Sequence, residues 1–283
     1  MKRIKSFENS DAPILYVVST PIGNLQELSP RAKEVLSSVD YIASEDTRTT
    51  ASLLAHFSIR KPSISCHEHN EQEASQKIIS LLKEGKKIAL TSDAGYPGIS
   101  DPGSILIKHC IEEDIIVTVI NGSNAFLPAL IASGIDTRHF YFNGFLSSKH
   151  TYRIKELEEL KNRKETIIFY EAPHRIGDTL KDMYEILGNR YISIAREITK
   201  LHEEYIRGYL EEFQDINEDT LKGEMVIIVE GNKEEKPLLS NEEIISLLKK
   251  EIRNGLSKKD AIKKVCKDHS LKKNVVYDLA NAL

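Results

Sequence analysis

The sequence predicts an α/β fold of two domains with a cleft between them, followed by a small C-terminal helical module. Three observations support this. Short β-rich runs alternate with helical patterns from Ile14 to Asn121, a second set of strands begins at Arg138, and the polar, aperiodic segment 231–237 precedes a purely helical stretch. We therefore expect domains at residues 1–122, 123–231 and 236–283.

The first domain shows the pattern of a parallel sheet covered by helices. Between its first two strands, Ser29 is placed to cap a helix whose first position is Pro30 and which ends near Ser38. The predicted strands are 14–19, 41–44, 63–66, 87–91 and 115–120.

The second domain differs, because its later strands follow one another at hairpin-like spacing. This spacing predicts a sheet with mixed strand directions, and the linker between the domains falls within 121–137, where 125–133 reads as a helix. The predicted strands are 140–143, 166–170, 191–195, 205–209 and 224–230, with helices at 152–162 and 176–187.

Composition describes an ordinary soluble protein of 283 residues, with 40% apolar and 29% charged side chains. No apolar run approaches the roughly 20 residues that cross a bilayer. Residues 1–11 are polar and lack the apolar stretch of a secretory leader, so we expect a cytoplasmic protein.

The cysteines Cys66, Cys110 and Cys266 are odd in number and widely separated, which favours reduced thiols, two of them in the core. His67 and His69 fall on one face of an extended segment, but no third ligand follows at a suitable spacing. We expect a polar wall there and no metal site.

Charge is unevenly distributed along the chain. The net charge is −4, yet residues 236–283 hold eleven basic and six acidic side chains, which gives +5 for this segment and −9 for the rest. The segment reads as three helices, 242–253, 258–266 and 272–283, and its charge suggests a polyanionic partner such as RNA.

A run rich in glycine and proline, residues 90–103, forms one strand-to-helix turn. Such a turn brings bare backbone close to a ligand, and loops at the carboxyl ends of parallel strands are where small molecules bind. The turn after the first strand has Gly23 alone where a dinucleotide-binding protein shows three spaced glycines. Nicotinamide and flavin dinucleotides are therefore disfavoured.

Four more polar clusters follow predicted strands, at 43–48, 66–71, 169–175 and 195–204. Helix capping explains part of the first cluster, but Arg48 in a first helical turn opposes the helix dipole and needs another reason. Two of the polar clusters follow strands of the second predicted sheet, and three follow strands of the first. Together they predict an active site in the cleft.

These segments together resemble the tetrapyrrole methylase superfamily, and within it the bacterial small-subunit ribosomal RNA 2′-O-methyltransferase I family. The resemblance spans residues 14 to about 231 in order and extends weakly into the tail. The matching segments are 19–25, 44–48, 67–71, 92–95, 99–103, 171–175 and 196–200.

The resemblance implies a tetrapyrrole-methylase-like fold and a homodimer with S-adenosylmethionine in each interdomain cleft. Its substrate would be the ribose of a cytidine in the decoding region of 16S rRNA. Asn121 departs from the family, which usually has proline before this glycine, so a more flexible turn is expected at Gly122. The implied cofactor-binding residues are Pro21, Asp93, Gly95, Tyr96, Gly122, Ser123, Tyr170, Ala195 and Met225.

Methylation of a ribose hydroxyl needs help, because a hydroxyl whose pKa lies far above neutrality is a poor nucleophile. A base, or a cation that stabilises the forming alkoxide, supplies that help. The sequence leaves open which residue is the base, and we hypothesise that Arg48 and Arg175 orient the RNA backbone. The candidate catalytic residues are Glu45, Asp46, Arg48, His174, Arg175, Lys200 and His202.

Two other functions remain open at this point. A methylase of a corrin or porphyrin precursor would share fold and cofactor, but those enzymes carry more glycines in the turn at 20–24 and generally lack a basic appendage. A non-enzymatic RNA-binding ribosome-assembly factor on the same fold need not bind S-adenosylmethionine.

Overall fold

The computed structural model of the chain describes residues 12–216, 221–233, 240–269, 271 and 273–281. Two compact units divide at Asn232 and Lys233, and the first unit holds two five-stranded sheets. Both sheets belong to one unit, so the domain boundary between residues 122 and 123 stays a prediction. The polar N-terminal segment 1–11 and most of the linker 231–237 lie outside the described residues.

The first sheet is entirely parallel, as the alternating pattern predicts, with strand order β3-β2-β4-β1-β5. The carboxyl ends of all five strands therefore lie at one edge, where the polar clusters follow them. Its strands are β1 Ile14–Val18, β2 Tyr41–Ser44, β3 Ser63–Ser65, β4 Ile88–Thr91 and β5 Ile116–Ile120.

Helices cover both faces of this sheet. The helices are α1 Pro30–Ser38, α2 Thr47–His56, α3 Glu71–Lys83 and α4 Ser104–Glu112. Helices α3 and α4 pack on one face and α1 and α2 on the other. The cap of α1 confirms the sequence prediction, because the Ser29 side chain accepts a hydrogen bond from the Ala32 amide and Pro30 is the first helical residue.

The second sheet has strand order β6-β7-β10-β8-β9 and mixed directions, as expected: β6 and β7 are parallel and the remaining pairs antiparallel. Helices α6 and α7 pack on one face, and α5 covers the other. The elements are α5 Phe126–Ser133, β6 Phe140–Phe145, α6 His150–Leu160, β7 Thr166–Glu171, α7 Ile176–Leu187, β8 Tyr191–Arg196, β9 Glu204–Tyr209 and β10 Met225–Val229.

Strand β6 is longer than the sequence predicts. The predicted strand ends at Asn143, yet the strand runs on to Phe145. The register against β7 shifts between Phe142 and Gly144, and Gly144 has a φ of +75°, which glycine adopts without strain. The Asn-Gly pair therefore forms a β-bulge inside the strand.

The second unit contains α8 Asn241–Arg253, α9 Lys258–His269 and α10 Lys273–Asn281, which confirms three helices close to the expected bounds. They share a core of their own that includes Ile244, Leu248 and Val265. Residues 272, 282 and 283 of the predicted third helix lie outside the described residues. Across the described parts of both units, no helix is long and apolar enough to cross a membrane.

Candidate active site

Loops from both sheets of the first unit enclose a cavity of about 450 Å³. The first sheet contributes loops that follow β1, β2, β4 and β5, and the second contributes the ends of β6, β7, β8 and β10. The cavity is lined by Ile22, Glu45, Asp93, Ala94, Gly95, Tyr96, Ile99, Ser100, Asp101, Asn124, Ala125, Phe145, Tyr170, Glu171, Ala172, Pro173, Glu197, Ile198, Lys200, Glu224, Met225 and Val226.

The loop after β4 is fixed by backbone hydrogen bonds to the loop after β1. The amide of Thr20 donates to the Gly95 carbonyl at 2.9 Å, and the Gly95 amide donates back at 3.0 Å. The Thr20 hydroxyl also donates to the Ser92 carbonyl at 3.0 Å. Asp93 is therefore presented to the cavity from a braced loop.

The loop after β5 is joined to the same assembly. The phenol oxygen of Tyr96 accepts a hydrogen bond from the Gly122 amide at 3.0 Å, and the Ser19 hydroxyl donates to the Ser123 carbonyl at 2.8 Å. Asp93, Tyr96, Gly122 and Ser123, all predicted to bind a cofactor, thus lie on connected loops. Asp93 and Tyr96 line the cavity. Gly122 is outside the lining, but its amide is hydrogen-bonded to the Tyr96 side chain.

A buried carboxylate anchors the far end of the loop after β4. One oxygen of Glu71 accepts hydrogen bonds from the amides of Gly103, Ile105 and Leu106 at 2.9, 2.9 and 3.2 Å. These amides open α4, where a helix has donors without partners and a positive dipole end. Glu71 therefore holds the helix start and, through it, the loop that carries Asp101.

The cavity is strongly acidic. Burial and, to a lesser extent, the charges of Glu45, Asp93 and Glu224 together raise the pKa of Asp101 to about 6. Burial and the nearby Asp93 also raise the pKa of Glu45, while His67 opposes that rise. Protons on these side chains are therefore held more tightly than on an isolated carboxyl group.

Lys200 is the one basic side chain among the described residues that line the cavity. Its ammonium donates to Glu197 at 3.0 Å and to Glu224 at 3.4 Å. Burial alone would lower the pKa of Lys200, but these two carboxylates outweigh burial and raise it. A Cβ on Gly23 would approach the Lys200 Cγ atom to 2.5 Å, so glycine there gives the lysine room to cross the loop.

Asp46 and Arg48 pair with each other at the start of α2. Asp46 accepts from the Arg48 amide at 2.8 Å and from its guanidinium at 3.1 and 2.7 Å. These bonds to Arg48 lower the pKa of Asp46 to about 2. Asp46 is thus a helix cap and a weak base, whereas the Arg48 side chain is 90% exposed.

Arg175 makes contacts within the second half of the unit. Its guanidinium lies 3.3 Å from the buried Glu171 carboxylate and donates to the Leu146 and Ser147 carbonyls at 2.7 and 3.2 Å. The Glu171 carboxylate also accepts from the Thr179 hydroxyl at 2.6 Å. Arg175 therefore fixes the chain after β6.

The structure brings seven of the sixteen predicted site residues into the cavity lining, and which of the sixteen act stays a prediction. These are Glu45, Asp93, Gly95, Tyr96, Tyr170, Lys200 and Met225. Pro21 lines a neighbouring hollow that also contains Asp93, and Ala195 is buried in the core under α5. The remaining residues lie outside the lining: Asp46, Arg48, Gly122, Ser123, His174, Arg175 and His202.

Several lining residues were not among the predicted ones. Asp101 belongs to the same glycine-rich run as Asp93, so its position in the sequence was a usable signal. Glu224 stands at the start of a predicted strand, and Phe145 lies beyond the predicted end of β6. Their place in the cavity depends on long-range strand pairing, which local patterns do not reveal.

The described residues hold no group of three or more side chains arranged to bind a metal ion. The rings of His67 and His69 lie 6.1 Å apart, and one nitrogen of His67 is buried without a hydrogen bond. Cys66 and Cys110 are buried free thiols, and burial raises their pKa values to about 11 and 12. They are core residues, as expected.

The sequence matches a protein family over residues 14–214, which include both sheets except β10. That family is described as tetrapyrrole (corrin/porphyrin) methylases.

Similar full-length proteins carry a more specific name. The chain is 47% identical to "Ribosomal RNA small subunit methyltransferase I" of Bacillus subtilis (strain 168), over 98% of both chains. It is 44% identical to the protein of the same name from Synechocystis sp., over 94% of this chain and 97% of that one.

Solved structures share the fold at low sequence identity. The methyltransferase CobJ aligns with a TM-score of 0.58 and 17% identity, over 81% of this chain and 97% of that one. The cobalt precorrin-4 methyltransferase CbiF aligns with a TM-score of 0.56 and 14% identity, over 77% and 94%. These matches confirm the predicted fold class.

Proposed function

This chain belongs to the tetrapyrrole methylase family and within it to the ribosomal RNA small subunit methyltransferases I, and from that membership we propose that it methylates the 2′-hydroxyl of a cytidine ribose in 16S rRNA. Enzymes of this family use S-adenosylmethionine, which supplies an electrophilic methyl group on a positively charged sulfur. The small ribosomal subunit or its rRNA is the proposed substrate.

The acidity of the cavity is the observation that carries this proposal. Glu45, Asp93, Asp101, Glu197 and Glu224 line it, against one lysine among the described lining residues. Carboxylates in a partly buried site stabilise a cation and repel a nucleotide phosphate. A cationic cofactor without phosphate fits this charge, whereas a dinucleotide does not.

The remaining lining suits the neutral part of the same molecule. Ile22, Ala94, Ile99 and Val226 give apolar surface beside the carboxylates, and the volume of about 450 Å³ lies in the range of small-molecule sites. Asp93 is the side chain that we expect to hold the cationic end, because its loop is braced on both sides.

Asp101 is the proton acceptor that we propose for the ribose hydroxyl. A general base works best when its pKa lies near the working pH, and Asp101, with a pKa of about 6, meets that condition. Asp46, with a pKa of about 2, is a much weaker base. The hydroxyl proton would move to the Asp101 carboxylate as the oxygen takes the methyl group.

The two predicted RNA-contacting arginines receive different roles. The Arg48 side chain pairs with Asp46 but is otherwise exposed. We therefore keep it as a contact to an RNA phosphate at the entrance of the cavity. Arg175 is occupied by Glu171 and two backbone carbonyls, so we propose a positioning role for it. The homodimer, the decoding-region target and the cytoplasmic location stay proposals.

Calorimetry with S-adenosylmethionine tests the cofactor half of the proposal. Asp93→Asn should raise the Kd about tenfold or more, because it removes a charge from a charge-assisted contact. Asp136→Asn is the matched control, since the exposed Asp136 carboxylate accepts a hydrogen bond from a backbone amide, as that of Asp93 does, but lies outside the cavity lining. Failure of the unaltered protein to bind the cofactor or to transfer its methyl group to unmethylated small subunits would overturn the proposed function.

A further inference from the structure

Phe145 is a large apolar side chain that lines the cavity yet is 53% exposed. Exposed apolar surface in a binding site marks a place where a ligand completes the burial. The mechanism proposed above makes no use of this ring.

The β-bulge in β6 directs Phe145 into the cavity. Phe142 pairs with Ile168 and Phe145 pairs with Tyr170, so both rings fall on the face that α5 covers. Without the extra residue, the two-residue alternation would place Phe145 on the opposite face, with Tyr141. The bulge thus re-aims one aromatic ring.

The ring is supported from behind by other aromatic residues. Phe145 contacts Tyr170 edge to face with a centroid distance of 5.5 Å, Tyr170 contacts Phe142 at 5.1 Å, and Phe142 stacks on Phe126 at 4.7 Å. Such contacts fix ring orientation. Phe145 is a preorganised flat surface with one side open to solvent.

One close approach places this surface near the proposed proton acceptor, and a second set of contacts fixes the chain after it. A Cβ on Gly144 would lie 3.2 Å from the Ser100 hydroxyl, so β6 passes closely over the residue before Asp101. Arg175 holds the carbonyls of Leu146 and Ser147 immediately after the ring.

The charges around Phe145 limit which part of an RNA molecule can bind against its ring. The acidic cavity repels phosphate, whereas the exposed Lys149, four residues after Phe145, lies outside the cavity lining. A nucleotide can meet this arrangement with its neutral base and ribose inward and its phosphates outward. Unpaired RNA bases commonly stack on aromatic side chains in this way.

We propose that Phe145 is a stacking platform for an unpaired nucleobase of the RNA substrate, set so that the attached ribose faces Asp101. This inference rests on the proposed function and adds a positioning residue to it. The Phe145 ring, supported by Tyr170, stacks on the flat face of the base, and Arg175 holds the chain that follows Phe145.

The absence of tryptophan from the chain allows a direct test. Phe145→Trp installs a single tryptophan at the platform, and its selectively excited emission should be quenched saturably by a short single-stranded RNA. Phe140→Trp is the control, because Phe140 is 42% exposed on the same strand but does not line the cavity. The control should not respond.

Kinetics with Phe145→Leu complete the test. The KM for small subunits should rise about tenfold, within the range measured for loss of one stacked base, while the Kd for S-adenosylmethionine changes less than twofold. Phe145→Tyr should restore the original KM. A tenfold loss of cofactor affinity with an unchanged KM for RNA would instead assign the ring to the cofactor and overturn the proposal, as would unchanged values for both.

The two proposals fail in different ways. If the unaltered protein transfers no methyl group but RNA still quenches Phe145→Trp, the enzymatic function falls and the platform stands. If methyl transfer is normal but RNA leaves the emission unchanged, the platform falls alone.

Discussion

At the scale of single residues, the site depends on keeping several carboxylates close together. Asp101 shows the consequence, because its proton is lost only near pH 6. The same charges that raise its pKa attract a cofactor whose reacting atom is positive. Burial contributes most to the raised pKa, and the neighbouring carboxylates contribute both to this basicity and to cofactor binding.

Replacing Asp101 tests its proposed role in proton transfer. Asp101→Asn removes the acceptor and should lower kcat about a hundredfold or more, in line with the loss of a general base. In the unaltered enzyme, kcat/KM for the cofactor should fall below about pH 6. Stopped-time transfer of labelled methyl groups to small subunits across pH 5 to 8 measures both effects.

Proton linkage separates this role from a structural one. A bound cation lowers the pKa of Asp101, so cofactor binding at pH 6 should release protons, and Asp101→Asn should release fewer. Because the folded-state pKa lies above the ordinary 3.8, the stability that Asp101 contributes is present at low pH and is lost as pH rises through 6. Asp101→Asn should therefore be the more stable protein at pH 8. Equal proton release from the two proteins on cofactor binding would argue against Asp101 as the proton acceptor.

Asp93 is among the cofactor-binding residues predicted from the sequence and Asp101 is not, although only eight residues separate them. Asp93 follows a strand and belongs to a recognisable pattern. The raised pKa of Asp101 comes first from burial and then from Glu45, Asp93 and Glu224, and both the burial and the approach of Glu45 and Glu224 depend on contacts between residues far apart in sequence. Charge environments of this kind are set by the fold, so a single sequence does not predict them.

At the scale of elements, the loop after β4 depends on the start of α4. Three amide donors of that helix converge on one oxygen of Glu71, a residue from α3. This carboxylate is 5% exposed and replaces the capping side chain that Gly103 lacks.

Removal of this carboxylate should loosen both the helix and the loop. We expect Glu71→Ala to lower the free energy of unfolding by about 3 kcal/mol, since buried amides lose a charged partner, and to weaken cofactor binding as the loop relaxes. Urea unfolding measures the first effect and calorimetry the second. Glu73→Ala, an exposed change in the same helical turn, is the control; equal stability of the two variants would contradict this assignment.

Local sequence patterns predicted the elements that depend on bonds between residues close together in sequence. Ser29 and Pro30 mark a helix start because the cap bond joins residues three apart. The strand end predicted at Asn143 was wrong, because the strand continues through a bulge at Asn143-Gly144 that only the pairing with β7 reveals.

At the scale of the whole molecule, charge is divided between an acidic cavity and a basic C-terminal segment. The second unit exposes Lys249, Lys250, Lys258 and Lys259 on a small helical core of its own. Exposed ammonium groups gain most from a polyanion, whose counterions are released on binding.

Neutralising these lysines should weaken RNA binding and make it less sensitive to salt. Changing all four to Gln should reduce the slope of log Kd against log salt by about 3, if each contacts one phosphate of single-stranded RNA. Changing Lys86 and Lys87 to Gln is the control. Both are exposed in the loop before β4, at the edge of the parallel sheet away from the cavity. Filter binding of rRNA gives the slope, and calorimetry should show an unchanged cofactor Kd; an unchanged slope would contradict this role.

The alternation of strands and helices predicted the architecture because it reflects burial periodicity over many residues. The mixed second sheet was predicted from strand spacing alone, but its order, with β10 between β7 and β8, was not. That order places Glu224 and Met225 in the cavity beside Tyr170.

Ribose-methylation mapping of small-subunit rRNA, with and without the gene, tests the central claim most directly. We predict that one cytidine in the decoding region loses its 2′-O-methyl group when the gene is deleted. The unaltered gene should restore the group, and the Asp101→Asn gene should not. An identical map in cells with and without the gene would contradict the account.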